Sequence, residues 1–136
     1  MAEAIDELAT YAQTESIGTI GTNLFRFSLF DSPDQQVAII PYPGDESEDG
    51  FGKTNGPRWE HTRFQVVSRG AADDKRTAYT KACAAHVAFS KVHASTLSGT
   101  FYETAKPLQK PGSIGEDASG RPMFSFNIHV VRDLGA

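Results

Sequence analysis

The stretch MFSFNIHVV, residues 123–131, decides how the rest of the chain is read. Phe124, Phe126, Ile128 and Val130 alternate with Ser125, Asn127 and His129, the period of two that a half-buried strand requires. The first set is predicted to face a core and the second to point away. Just upstream, Pro107 to Pro122 is rich in Pro and Gly and reads as irregular, with a turn at Asp117–Gly120. Thr100 to Lys106 reads as a further strand, opened by the Ser98–Gly99 turn. Before that, the period changes to three and four. Ala78, Ala82, Ala85, Phe89 and Val92 form one apolar stripe, which predicts a helix from the candidate caps Asp73 and Asp74 to about His93. Its small alanines would let it lie close to a sheet.

Further outward the alternation returns. Trp59 to Arg69 is predicted as a strand with Phe64 and Val66 inward. Gln36 to Tyr42 and Leu24 to Phe30 read as two more, the latter with Phe25, Phe27 and Leu29 on one face. Asp31, Ser32, Pro33 and Asp34 make a short turn between them, so the pair is expected to be antiparallel. Ser16 to Asn23 carries Gly18 and Gly21 and should end a first helix, Ala4 to Gln13, whose stripe is Ile5, Leu8, Ala9 and Ala12. Pro43 to Pro57 reads as a long loop. Helices set apart from mostly antiparallel strands predict an α+β fold with two helices packed on one sheet face. With 136 residues, no internal repeat and no linker, residues 1–136 are expected to form a single domain.

Composition narrows the function. Hydrophobic residues are 39% and charged residues 22%, which suits a globular chain, and no apolar run is long enough to span a bilayer. Met1 to Glu15 carries acids and has none of the basic and apolar regions of a signal peptide. Cys83, the single cysteine, has no intramolecular disulfide partner. The net charge is −4, and four of the 17 acids, Asp45, Glu46, Glu48 and Asp49, lie together; the remaining 13 balance the 13 Lys and Arg. No cation cluster of the kind that releases counterions from phosphates is evident, so sequence-specific nucleic-acid binding is not expected.

Catalysis would need a nucleophile, a base and an orienting group, or a metal. Cys83 and His86 lie three apart on the predicted second helix, within reach of each other. They sit mid-helix among alanines, far from the helix N-terminus, and are read as a small packed thiol beside a half-buried imidazole. His61, His86, His93 and His129 show no metal-ligand spacing, and the acidic loop lacks the spaced ligands of a helix-flanked calcium loop. No catalytic, cofactor or metal residue is assigned; a thiol enzyme using Cys83 and His86 is kept as the remote alternative.

Three passages carry a family resemblance. SIGTIGTNLFRFSL at 16–29 is followed by DSPD at 31–34 and VAIIPYPG at 37–44, and RWEHTRFQVV occupies 58–67. STLSGTFYETAKPLQKPGSIGEDASGRPMFSFNIHVVR runs from 95 to 132. In order and spacing these resemble bacteriophage minor capsid proteins of the tail terminator type, with Gly99, Gly115, Asp117, Gly120, Arg121 and Pro122 as the most specific points. Glu116 stands where the pattern often has a basic residue, and the Asp45–Asp49 acids are an unusual addition.

The resemblance implies a virion protein made in the host cytoplasm and placed at the neck, the head-proximal end of the tail. It implies a six-membered ring of this chain that caps the tail tube, ends its polymerisation and meets the head connector. Implied partners are copies of itself, the tail tube protein and head-connector or neck proteins. DNA only passes through the lumen, and no membrane is involved. A head-side neck or head-completion protein is the near alternative. Interface candidates are Arg58 and Trp59, enriched residue types at interfaces, with a place at the core edge as the alternative for Trp59. Ile114 and Arg121 in the 107–121 segment are candidates too, with a plain surface turn as the alternative. So are Asp45, Glu46, Glu48 and Asp49, which would either line the ring opening and repel DNA or form a solvated loop that aids solubility. The outer face or free edge of the last strand is a further docking candidate.

Overall fold

The computed structural model describes residues 3–42 and 59–135. The elements follow as α1 (Ala4–Thr14), β1 (Leu24–Arg26), β2 (Gln36–Tyr42), β3 (Trp59–Arg69), α2 (Lys75–Ser90), β4 (His93–Leu97), β5 (Thr100–Pro107), β6 (Gly112–Glu116) and β7 (Pro122–Asp133). The seven strands form one sheet in the order β1-β2-β3-β7-β5-β4, and β6 pairs with the first residues of β7, in line with β5. Every pairing except β1 with β2 is antiparallel. Among the described residues, no helix is long and apolar enough to cross a membrane.

β7 is the spine of the sheet, as its alternation predicts. Phe126, Ile128 and Val130 are fully buried beneath the helices, joined by Phe64 and Val66 of β3 and Val37 and Ile39 of β2. Burying each such side chain contributes about 1.5–3 kcal/mol, so this patch is the main source of cohesion. Phe124 departs from expectation: it is half-buried, edge-on to Tyr79 at 5.3 Å between ring centres. Both helices lie on this one face. Ile5, Leu8, Ala9 and Ala12 of α1 are buried, as are Ala78, Ala82, Ala85 and Phe89 of α2. Asp74 caps α2 by accepting from the Thr77 backbone N–H at 3.1 Å. Gly70 permits the close start of α2: a Cβ there would meet the Asp74 carbonyl oxygen at 2.6 Å.

The structure corrects several expectations. The first strand stops at Arg26, because Phe27 turns the chain with φ of +79°. Leu24 is its buried residue, whereas Phe25 leans on Phe30 and Phe27 stands exposed. β1 runs parallel to β2: residues 27–35 form a wide return that brings the chain back beside the start of β1. α2 ends at Ser90, three residues early, and Val92 stays buried while His93 already begins β4. β6 was expected as irregular chain. It is a fully exposed strand whose one large apolar residue, Ile114, gives no alternation to detect. The 43–57 loop, with Asp45, Glu46, Glu48 and Asp49, and Arg58 lie outside the described residues.

Candidate interface surfaces

At the start of β7, two arginines hold an exposed corner. The Arg69 guanidinium donates to the backbone carbonyls of Asp34 (2.9 Å), Phe30 (2.7 Å), Asp31 (3.2 Å) and Pro33 (2.9 Å). Arg121 donates to the Asp31 carbonyl, to the Asp34 carboxylate at 3.1 Å and to Asp117 Oδ2 at 2.7 Å. Asp117 in turn accepts from the Ser119 and Arg121 backbone N–H groups, which shapes the turn before β7. The Arg121 backbone N–H, seconded by its guanidinium, holds the Asp117 carboxyl below its ordinary value. Burial and the neighbouring Arg121 pull Arg69 down. The planar fork of arginine suits this work, because one side chain reaches several carbonyls at fixed angles. The 31–34 tip is left exposed but held from beneath by both arginines.

At the other end of β7 the arrangement is dry. Glu7, 2% exposed on α1, accepts from Thr100 Oγ1 (2.6 Å), Tyr102 Oη (2.6 Å) and Arg132 Nη1 (3.0 Å). Arg132 also donates to Glu60 at 2.6 Å. Burial opposes charge on Arg132, but its bonds to Glu60 and Glu7 raise it overall; burial and Glu7 push Tyr102 up. This network locks α1 across the sheet. Nearby, the Tyr11 hydroxyl donates to the Ala88 carbonyl at 2.6 Å and joins α1 to α2; burial, then Glu15, pushes it to about 12.

The predicted interface residues separate in this frame. Trp59 is half-buried at the first position of β3, opposite Asp133. Ile114 stands 47% exposed on β6. Arg121 lies mostly below the surface and supports the 31–34 corner. Exposed apolar residues that the sequence reading did not single out are Phe30 beside Phe27 at the β1 border, Tyr79 and Val87 on α2, and Phe101 and Leu108. Cys83 and His86 line a shallow groove with Tyr79, Val87, Lys110 and Pro111; His86 packs edge-on against Phe126. His61 and His129 meet across β3 and β7, Nδ1 to Nε2 at 3.1 Å. Among the described residues no group of three or more His, Cys, Asp or Glu is placed to hold a metal.

The passages on which the resemblance rests thus meet in space: the 31–34 corner, Asp117 and Arg121 form one bonded unit. The model of a protein family described as bacteriophage tail terminator protein matches residues 11–134. The chain belongs to that family. This tail terminator is therefore a structural protein of the phage virion, at the end of the tail. Its fold is similar to that of a chain in the structure titled "Virion of native gene transfer agent (GTA) particle". The TM-score is 0.56 at 15% identity, with 97% of this chain and 87% of the other covered. No curated protein sequence matches it.

Proposed function

We propose that this chain is a one-domain subunit of a closed ring that caps the tail tube, ends its growth and offers the opposite surface to the head connector. The family match over residues 11–134 carries this reading. The architecture supports it. A sheet stiffened along β7 by a buried ion-pair network at one end and an arginine-held corner at the other presents rigid surfaces, and preorganised surfaces lose little on association. The likeness to a chain of a gene transfer agent virion supports a place in a virion particle. On this reading the partners are copies of the chain, the tail tube protein and the neck proteins. DNA passes through the lumen unread, and the work is done by interfaces.

Electron microscopy of intact particles, with this fold placed in the density, tests the reading. A ring of this chain between the tail tube and the connector is expected. Density within the portal stack would move the protein to the head-side neck, and the capping role would fall.

A further inference from the structure

We infer that the ring closes head to tail, the outer face of α2 and the 108–111 segment of one copy seating on the Phe27–Phe30 corner of the next. The inference rests on the ring reading above and names its contact. A cyclic ring needs two different, complementary patches on each subunit. Five of the seven large exposed apolar side chains among the described residues fall into two groups. Phe27 and Phe30 lie at the β1 border of the sheet, whereas Tyr79 and Val87 lie on α2 and Leu108 just past the end of β5; Phe101 and Ile114 belong to neither.

The corner is shaped to receive something. Phe27, 61% exposed, separates two open grooves of about 320 and 340 Å³. Leu24, Phe25 and Phe30 line the first; Ala4, Ile5, Pro41 and Phe64 line the second. Its φ of +79° is unfavourable for a bulky residue, and such strain concentrates where a side chain must be presented.

Charge chooses the partner. From Glu3 to Asp34 the chain has six acids and one base, Arg26. Glu7 is buried and Glu15 meets Lys91, which leaves Glu3, Asp6, Asp31 and Asp34 about the corner. Arg26 pairs with Asp6, and Arg121 is shared by Asp31 and Asp34, so four acids stand against two bases and the corner keeps a net negative charge. From Lys75 to Tyr102 there are four bases and no acid. Of these, Lys75, Arg76 and Lys81 have no ion-pair partner among the described residues, and Lys110 flanks the same face. Of the two acids just before them, Asp74 caps the helix and Asp73 is exposed, so the bases still outnumber the acids on this face. Two corners set together, or two α2 faces, would juxtapose like charges, whereas corner against α2 is attractive.

The test uses the purified full chain with two variants. Phe27→Gly removes the ridge and relieves the positive φ, so its melting temperature should stay at or above that of the parent. Val87→Asp places an acid on the exposed face of α2. In sedimentation velocity at low salt the parent chain should grow in mass with concentration and recede as salt is added. Each variant alone should stay monomeric, and an equal mixture should stop at 1:1 heterodimers, because only one intact contact remains. Growth of either variant like the parent, a homodimer of one variant, or a parent chain that stays monomeric throughout would overturn the contact. The ring reading is judged apart from it: particles that carry a normal ring of Val87→Asp subunits would refute this contact and leave the ring standing.

Discussion

The two ends of β7 solve the same problem in opposite ways. Both place an arginine below the surface. Arg132 meets carboxylates, Glu7 and Glu60, inside a site that also holds Tyr102 and Thr100. Arg69 meets four backbone carbonyls of a loop whose tip is open to water, and Arg121 meets one of them together with the carboxylates of Asp31, Asp34 and Asp117, the Asp31 side chain being 98% exposed. The first arrangement joins α1 to the sheet and belongs to folding. The second leaves α1 untouched and determines only the shape of a surface. A buried pair is costly to break because the survivor is a stranded charge, whereas losing a carbonyl clamp lets water replace the lost donors. The fold should therefore depend on one end, and assembly on the other.

The largest expected effect follows from the dry end. Glu7→Ala strands the Tyr102 and Thr100 hydroxyls and takes from Arg132 its buried carboxylate partner, so stability should fall by about 3–5 kcal/mol in a denaturant titration. A loss below about 1 kcal/mol would mean that Glu60 and solvent suffice, and the contrast between the ends would fail. At the other end, Arg69→Lys keeps the charge but cannot reach four carbonyls at once. It should cost about 2 kcal/mol and speed proteolysis within residues 28–35, with the rest of the chain intact. Arg121→Lys should cost less than Arg69→Lys, since its partners Asp31 and Asp34 are already wet, yet should raise cleavage of the same loop. If Arg121→Lys melted the whole chain, the corner would belong to the fold and the division would have to be redrawn.

How much of this was legible follows from period. The α+β class, the strands expected at 59–69 and 123–131, and the buried stripes of both helices follow from the period of two or of three to four, because long segments with one buried face repeat it. The strand at 36–42 was also expected, although Gln36 to Ile39 are all buried and show no alternation. β6 was not legible: every residue is exposed, so burial imposes no pattern. The parallel β1 was hidden because its return depends on Arg69 and Arg121, which lie 39 and 90 residues from the loop they hold. The dry network left a signal that went unread. The alternation that buries Phe126, Ile128 and Val130 also puts Arg132 in the core, and a buried arginine demands a buried acid. Glu7, beside Leu8 on the α1 stripe, was the candidate. The corner was visible only as matching family passages, and their contact was not deducible from spacing.

The smallest effect expected is in the pH profile, and it separates the two ends without mutation. Asp117 sits below its ordinary value of 3.8, so its contribution is present above that pH and is lost as pH falls below it. Tyr102 and Tyr11 lie above their ordinary value of 10, so theirs is complete below pH 10 and is lost as pH rises, through about 12 for Tyr11. Acid should therefore release the 28–35 loop to protease before α1 loosens, and alkali should act in the reverse order. Hydrogen exchange followed segment by segment at both extremes would show it. If α1 and the corner opened together at both, the two ends of β7 would be one cooperative unit, and rigidity at the surface could not be tuned apart from the fold.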